Sequence, residues 1–327
     1  MKTKRSSYVF VTVCLAALLI VSMLVAGCTS NGTTNSVPAT ASTTPAATAA
    51  PAAAQATAAA TATQATSAAA SSGQTLTLTG STTVLPIAQA VADAYMANNS
   101  NVNIQVSGGG SGVGIQAIIN QKVDIGMSSA DVSAAQKAQD SQMNIITIAH
   151  DGIAIIVNPA NTVQDISLDQ VKAIYNGSVT SWTSLGGAGV PNSNNQIVLV
   201  GRDSSSGTRT YFDQVVMQNT NDSLTMHEDN SNGAVLQEVA QTPNAIGYIS
   251  IGYLDNTVKA LPIVTTNGHV IVPSVATVKD KTYPIHRDLY MITNGKPTGL
   301  ANDYINYLLS PAGQQIVVAQ GYVALNS

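Results

Sequence analysis

Three short segments of this 327-residue chain carry residue types that hold a small anion: Gly80-Ser81-Thr82-Thr83, Gly108-Gly109-Gly110-Ser111-Gly112, and Arg202-Asp203-Ser204-Ser205-Ser206-Gly207-Thr208. Each follows a predicted strand and opens a predicted helix. The first turn of a helix presents N–H groups with no partner in the helix, at the positive end of its dipole. Glycine lets the backbone approach a ligand closely, and Ser or Thr hydroxyls add short donors. One such loop by itself reads as a helix N-cap, since Ser and Thr are common capping residues. Three in one chain, one with an arginine, point to a bound anion. Arg202 offers a planar fork of donors that suits a tetrahedral oxyanion, and Arg209 is a candidate second cation. Alone, Arg202 would read as half of a surface ion pair. Its place four residues before Ser206-Gly207-Thr208, at a strand end, argues instead for a cradle.

The elements that must position these loops alternate strand, turn and helix. Thr75 to Thr79 alternates Thr and Leu, as a half-buried strand does, and Val84 to Ala97 has apolar residues at helical spacing. Asn101 to Ser107 alternates again before the glycine cluster, and Val113 to Asn120 is the next helix. Val123 to Met127, Ile145 to Ala149 and Ile153 to Asn158 are further strands. Past Pro159, a helix over Leu168 to Tyr175 and a strand over Gln196 to Val200 precede the arginine loop and its helix, Thr208 to Met217. Ala234 to Gln241 is helical, and Ala245 to Ser250 and Ala260 to Val264 are strands. The chain ends on a strand at Tyr290 to Thr293 and helices at Leu300 to Leu309 and Ala312 to Gln320. This order predicts an α/β architecture with largely parallel sheets.

The N-terminus is expected to lie outside that fold. Lys2, Lys4 and Arg5 precede an apolar run, Tyr8 to Ala26, which ends at Val25-Ala26-Gly27-Cys28. A basic start, an apolar run and small residues before a cysteine describe a signal peptide over residues 1–27. The small residues before Cys28 resemble a lipoprotein signal, with Cys28 as the lipid attachment point. The alternative is an uncleaved transmembrane anchor, since about 18 apolar residues can span a bilayer. Either way the rest of the chain is expected outside the cytoplasm, tethered to the membrane. Residues 28–73 are nearly all Ala, Thr, Ser, Pro, Gln, Asn and Gly with no charge, which reads as a disordered stalk of the composition typical of O-glycan carriers. Both cysteines, Cys14 and Cys28, precede the folded part, which therefore has no disulfide and no cysteine-bound metal. The formal net charge is −4; without the three leading basic residues, ten Lys and Arg face 17 Asp and Glu, a net −7. That excludes a nucleic-acid binder, which needs a basic stripe. No metal or cofactor is expected.

Six motifs in order carry a family resemblance: Gly80-Ser81-Thr82-Thr83-Val84-Leu85-Pro86; Ser107 through Gly112; Asp124-Ile125-Gly126-Met127-Ser128-Ser129; Asp151-Gly152-Ile153-Ala154; Arg202 through Arg209; and Asn244-Ala245-Ile246-Gly247-Tyr248. Over the whole folded region the chain resembles phosphate-binding proteins of ABC transporters, in the periplasmic-binding-protein superfamily. The resemblance implies two α/β lobes joined by crossing strands, with a ligand cleft between them. Lobe 1 would be residues 74–155 plus 262–327, and lobe 2 residues 156–261. It implies a monomer with no enzymatic activity that captures inorganic phosphate and delivers it to a permease. Phosphate contacts carry over to Thr82, Thr83, Val84, Ser111, Ser129, Arg202, Ser206, Gly207, Thr208 and Arg209.

One position departs from the family pattern. Some members have an aspartate where Ser129 stands, and its carboxylate accepts the proton of hydrogen phosphate. Sulfate carries no proton at neutral pH, so a buried acceptor separates the two anions by leaving a group unpaired. A serine accepts but does not repel sulfate. Asp203 either supplies the missing acceptor or orients Arg202, and Asp131 lies two residues beyond Ser129. Sulfate or molybdate is therefore an alternative ligand, and a surface phosphate sensor or adhesion module an alternative role. Two enzyme readings are weaker. Gly112-Val113-Gly114-Ile115-Gln116-Ala117 fits a dinucleotide-binding pattern, but such patterns match by chance and a tethered surface chain meets little dinucleotide. A secreted hydrolase would need a nucleophile elbow, and Val113 takes the place of its last glycine. His150, His227, His269 and His286 show no triad or metal spacing.

Overall fold

The computed structural model describes residues 73–186 and 189–325. The expected signal segment, Cys28 and nearly all of the stalk lie outside the described residues.

The fold begins with three strands and the helices between them. In β1 (Gln74–Gly80) the leucines Leu76 and Leu78 are buried and the intervening threonines are not, as alternation predicts. Helix α1 (Leu85–Asn98) starts with Pro86 in its first turn and buries Ile87, Ala88, Val91 and Ala92. Then follow β2 (Val102–Ser107), α2 (Ser111–Ile119), β3 (Ile125–Ser128) and α3 (Ala134–Gln139), the last set by a Ser133/Gln136 capping box. Strands β2 and β3 flank β1 in parallel, so both loops that follow β1 and β2 emerge at the same end of the sheet.

The next strand differs from expectation. The segment read as two strands is one, β4 (Met143–Val157), 15 residues long. The polar triplet His150-Asp151-Gly152 looks like an interruption, but each member keeps a ladder partner, opposite Asp288, Arg287 and His286. The second part contains β5 (Ile166–Ser167), α4 (Leu168–Tyr175), β6 (Val198–Arg202), α5 (Gly207–Val215), β7 (His227–Asp229), α6 (Asn232–Gln241) and β8 (Ala245–Ser250). The strand expected over 260–264 is two, β9 (Lys259–Leu261) and β10 (Ile263–Val264). Pro262 between them has no N–H for a continuous ladder. After β11 (Val270–Ile271) and α7 (Val275–Lys279), the chain returns through β12 (His286–Asn294) to α8 (Gly299–Leu309) and α9 (Pro311–Ala319).

Strands β1, β2 and β3, and likewise β6, β7 and β8, pair in parallel, but β12 is antiparallel to β3 and β4, and β4 to β8 and β9. The sheet is mixed rather than largely parallel, because two strands pass between the lobes and enter the next half from the cleft, where its parallel strands end. Among the described residues a small cluster around Ile118 and Ile292 accompanies two large, separate cores. One gathers Leu76, Val91, Met127, Leu289, Tyr304 and Leu308; the other gathers Ile155, Trp182, Phe212, Tyr248, Leu261 and Tyr283. Full burial of a side chain of this size contributes about 1.5–3 kcal/mol, so each half has a core of its own. The expected re-entry into lobe 1 at residue 262 differs from this packing: Ile263, Val278, Tyr283 and Ile285 lie in the second core. The chain crosses back only with β12, whose Leu289 and Met291 join the first core.

Candidate functional site

Four helix starts meet where the two halves face each other: α1 after Thr83, α2 at Ser111, α5 at Gly207 and α6 at Asn232. The hydroxyls of Thr83 and Thr208, 125 residues apart, are 3.1 Å from each other. Ser111 Oγ lies 3.4 Å from Ser129 Oγ and accepts the Ser129 amide at 3.1 Å. The loops close in because Gly207 has no side chain: a Cβ there would fall 2.3 Å from Ser111 Oγ and 2.9 Å from Ser129 Oγ. Gly207 and Thr208 open α5, so their amides have no helical partner.

Arg202, at the end of β6, is 1% exposed. Its Nε donates to the Asp229 carbonyl at 3.1 Å and its Nη2 to the Asn230 carbonyl at 3.2 Å. Nη2 also reaches across the cleft to Thr82 Oγ1 at 3.3 Å. Nη1 is buried with no hydrogen-bond partner among the described residues. A buried charged donor left over is costly unless something accepts from it. Burial pulls the Arg202 pKa down from its ordinary value, but guanidinium starts so high that the charge stays. Beneath the loop, Tyr248 accepts the Arg202 amide at 3.2 Å and stacks on Phe212 with ring centroids 4.0 Å apart.

Most of the expected site residues come together: Thr82, Thr83, Ser111, Ser129, Arg202, Ser206, Gly207 and Thr208 are buried around this junction. Ser206 Oγ accepts the Arg209 amide at 3.2 Å and so caps α5. Val84 is buried in the first core, and its amide lies 3.4 Å from Ser81 Oγ. Arg209 is the correction. Its guanidinium turns away to Glu228 at 2.6 Å, Asp222 at 2.9 Å and the carbonyl of Arg202 at 2.8 Å. Three acids, counting Asp213 at 3.7 Å, outbid the site for it. Asp203 does not enter the junction either: its Oδ1 accepts the Ser205 amide and hydroxyl at 2.9 and 2.7 Å. Asp131 accepts from Tyr290 at 2.6 Å.

Three side chains at the junction escaped the sequence reading. Arg287 on β12 donates through Nη2 to Thr83 Oγ1 at 3.2 Å and Thr208 Oγ1 at 3.0 Å. It is held by Asp151, whose Oδ2 accepts from Nε at 3.0 Å and from Nη2 at 2.8 Å. Asp151 is fully buried, and its other oxygen accepts from Ser250 at 2.7 Å. Burial pushes its carboxyl up, against the pull of Arg287 and Ser250. Asn232 donates to Thr82 Oγ1 at 3.2 Å and Thr83 Oγ1 at 3.0 Å. The signal for Asp151 was its motif with Gly152, quoted without a role; Arg287 and Asn232 carried none. Two guanidinium groups, only one of them hydrogen-bonded to a carboxylate, and many neutral donors suit a small anion. Among the described residues no group of three or more His, Cys, Asp or Glu is placed to hold a metal ion.

Comparison with known proteins gives a consistent family. The PBP superfamily domain matches residues 37–312. The phosphate-binding protein PstS of Bacillus subtilis is 37% identical over 253 residues, covering 76% of this chain and 80% of that protein. The phosphate-binding protein PstS of Borreliella burgdorferi is 29% identical, covering 77% and 90%. Among solved structures, a substrate-binding protein with bound phosphate from Clostridium perfringens aligns with a TM-score of 0.70 at 30% identity, covering 77% of this chain and all of that one.

Proposed function

The chain belongs to the PBP superfamily, among the phosphate-binding proteins of ABC transporters, and from that premise we propose that it captures inorganic phosphate outside the cytoplasm and passes it to an importer. The observation that carries the assignment of the site is Arg202: a buried guanidinium with one donor unpartnered and another bonded across the cleft to Thr82. An anion seated against Nη1, the first amides of α5 and the hydroxyls of Thr83, Ser111, Ser129 and Thr208 would satisfy donors from both lobes at once. Closure then follows from contacts that exist only when the lobes meet. Excluding water strengthens each charge-assisted bond. No covalent bond is made or broken, and reopening at the permease releases the anion. Cys28, lipidated after removal of residues 1–27, would anchor the chain, with residues 28–73 as its tether.

Ser129 favours a second reading alongside the first. Neither oxygen of Asp151 is free to accept the proton of hydrogen phosphate, because both are engaged. A site of hydroxyls, amides and arginines accepts sulfate and molybdate with a smaller penalty than one with a carboxylate acceptor. Calorimetric titration of the full chain with phosphate, sulfate, arsenate and molybdate at two pH values tests both. Phosphate binding is expected, with sulfate competing at a measurable level. Sulfate or molybdate binding without phosphate binding would overturn the assignment.

A further inference from the structure

A contact beside the anion site joins the lobes without any ligand atom. Ser205, on the loop between β6 and α5, belongs to one lobe, and the glycine cluster before α2 belongs to the other. The Gly112 amide donates to the Ser205 carbonyl at 2.9 Å. The Ser205 hydroxyl, whose single proton is shared between two acceptors, lies 3.0 Å from the Gly109 carbonyl and 2.7 Å from Asp203 Oδ1. Gly110 sits between, at φ 97°, and a Cβ there would fall 2.2 Å from Ser205 Oγ and 2.7 Å from the Ser205 carbonyl oxygen. The two loops therefore touch only because Gly110 has no side chain. Asp203 Oδ1 holds Ser205 in place through its amide at 2.9 Å.

We propose that Ser205 and the Gly109–Gly112 turn form a latch that sets how long the closed protein keeps its anion. The proposal rests on the reading above, in which the lobes close over phosphate. These bonds span two lobes, so they break when the lobes separate and add nothing to the open form. Their free energy falls on the closed state alone, and apparent affinity scales with the population of that state. None of Ser205, Gly109 and Gly110 is among the groups placed around the anion. The latch is thus a positioning device: it leaves the first encounter with the open cleft unchanged and slows release. It also accounts for glycine at position 110, where a Cβ would meet Ser205.

The test is stopped-flow measurement of phosphate association and dissociation by the full chain, with Ser205→Ala, Gly110→Ala and the double variant Gly110→Ala/Ser205→Gly. Loss of one neutral hydrogen bond in Ser205→Ala should raise the dissociation rate about 2- to 10-fold and leave the association rate within about twofold. Gly110→Ala should raise dissociation further, and the double variant should recover part of the loss by removing the Oγ that the new methyl meets. Should Gly110→Ala fail to fold, Ser205→Ala still decides the matter. A dissociation rate unchanged in Ser205→Ala, or a loss confined to association, would overturn the latch while wild-type phosphate binding stands. A wild-type chain that binds no phosphate overturns both the latch and the function on which it rests.

Discussion

At the junction between the lobes, two arginines sit in very different company. Arg287 is neutralised by a buried carboxylate with which it shares two bonds, whereas Arg202 is held only by carbonyl and hydroxyl oxygens and keeps a donor in reserve. The guanidinium with no hydrogen-bonded carboxylate is therefore that of Arg202. Arg202→Ala should weaken phosphate binding by about 2–5 kcal/mol, the usual cost of removing one partner from a desolvated charged contact. Ser111→Ala, which removes a neutral donor, should cost about 0.5–1.5 kcal/mol. Calorimetry of the two variants separates these cases, and equal losses would contradict the charge argument. Arg209 shows how neighbours decide a side chain's work: it follows the same cradle in sequence, yet three carboxylates draw it to the far side of α5.

Helix α5 carries the consequence at the next scale. Arg209 ties the helix start to β7 through Glu228 and to the following loop through Asp222, while bonding the Arg202 carbonyl. Three acids around one guanidinium leave excess negative charge, and an oxygen of Asp213 and one of Asp222 are buried without a hydrogen-bond partner. Burial first, and Asp222 second, push the Asp213 carboxyl up to about 6. Its folded-state pKa lies above the unfolded one, so the native state holds this proton more tightly. Stability from this group is then fully present below the ordinary aspartate pKa and is lost as pH rises through about 6. Asp213→Asn should accordingly stabilise the protein, more at about pH 7.5 than at about pH 4.5. Urea unfolding at the two pH values measures it. A gain of equal size at both would show that Asp213 ionises as freely in the native state as in the unfolded chain.

Among the described residues, the two large cores are joined by β4 and β12, and the candidate site lies where those strands pass between the lobes. An anion bonded to both lobes stabilises the native state as a unit by mass action, about 1.4 kcal/mol for each tenfold excess over its Kd. For a protein of this size that is roughly 3–6 °C in Tm per tenfold excess of phosphate. Scanning calorimetry at increasing phosphate should show this rise, and Arg202→Ala should shift its onset to higher phosphate. A Tm independent of phosphate would mean that the ligand does not distinguish folded from unfolded chain.

The anion-facing loops were legible in the sequence because their chemistry is local. A Ser or Thr beside a glycine at a helix start signals its cap and its free amides within four or five residues, and Gly80 to Thr83, Gly108 to Gly112 and Arg202 to Thr208 all read that way. Alternation likewise located β1 and helical spacing located α1, since each pattern repeats within one element. The tertiary structure alone decided the rest. Arg287 meets Asp151 across 136 residues through the antiparallel register of β12 on β4, and Asn232 meets Thr82 across 150 through the approach of the lobes. Strand register and lobe contact are collective outcomes of packing, and no short window of sequence records which distant partner a buried charge will find.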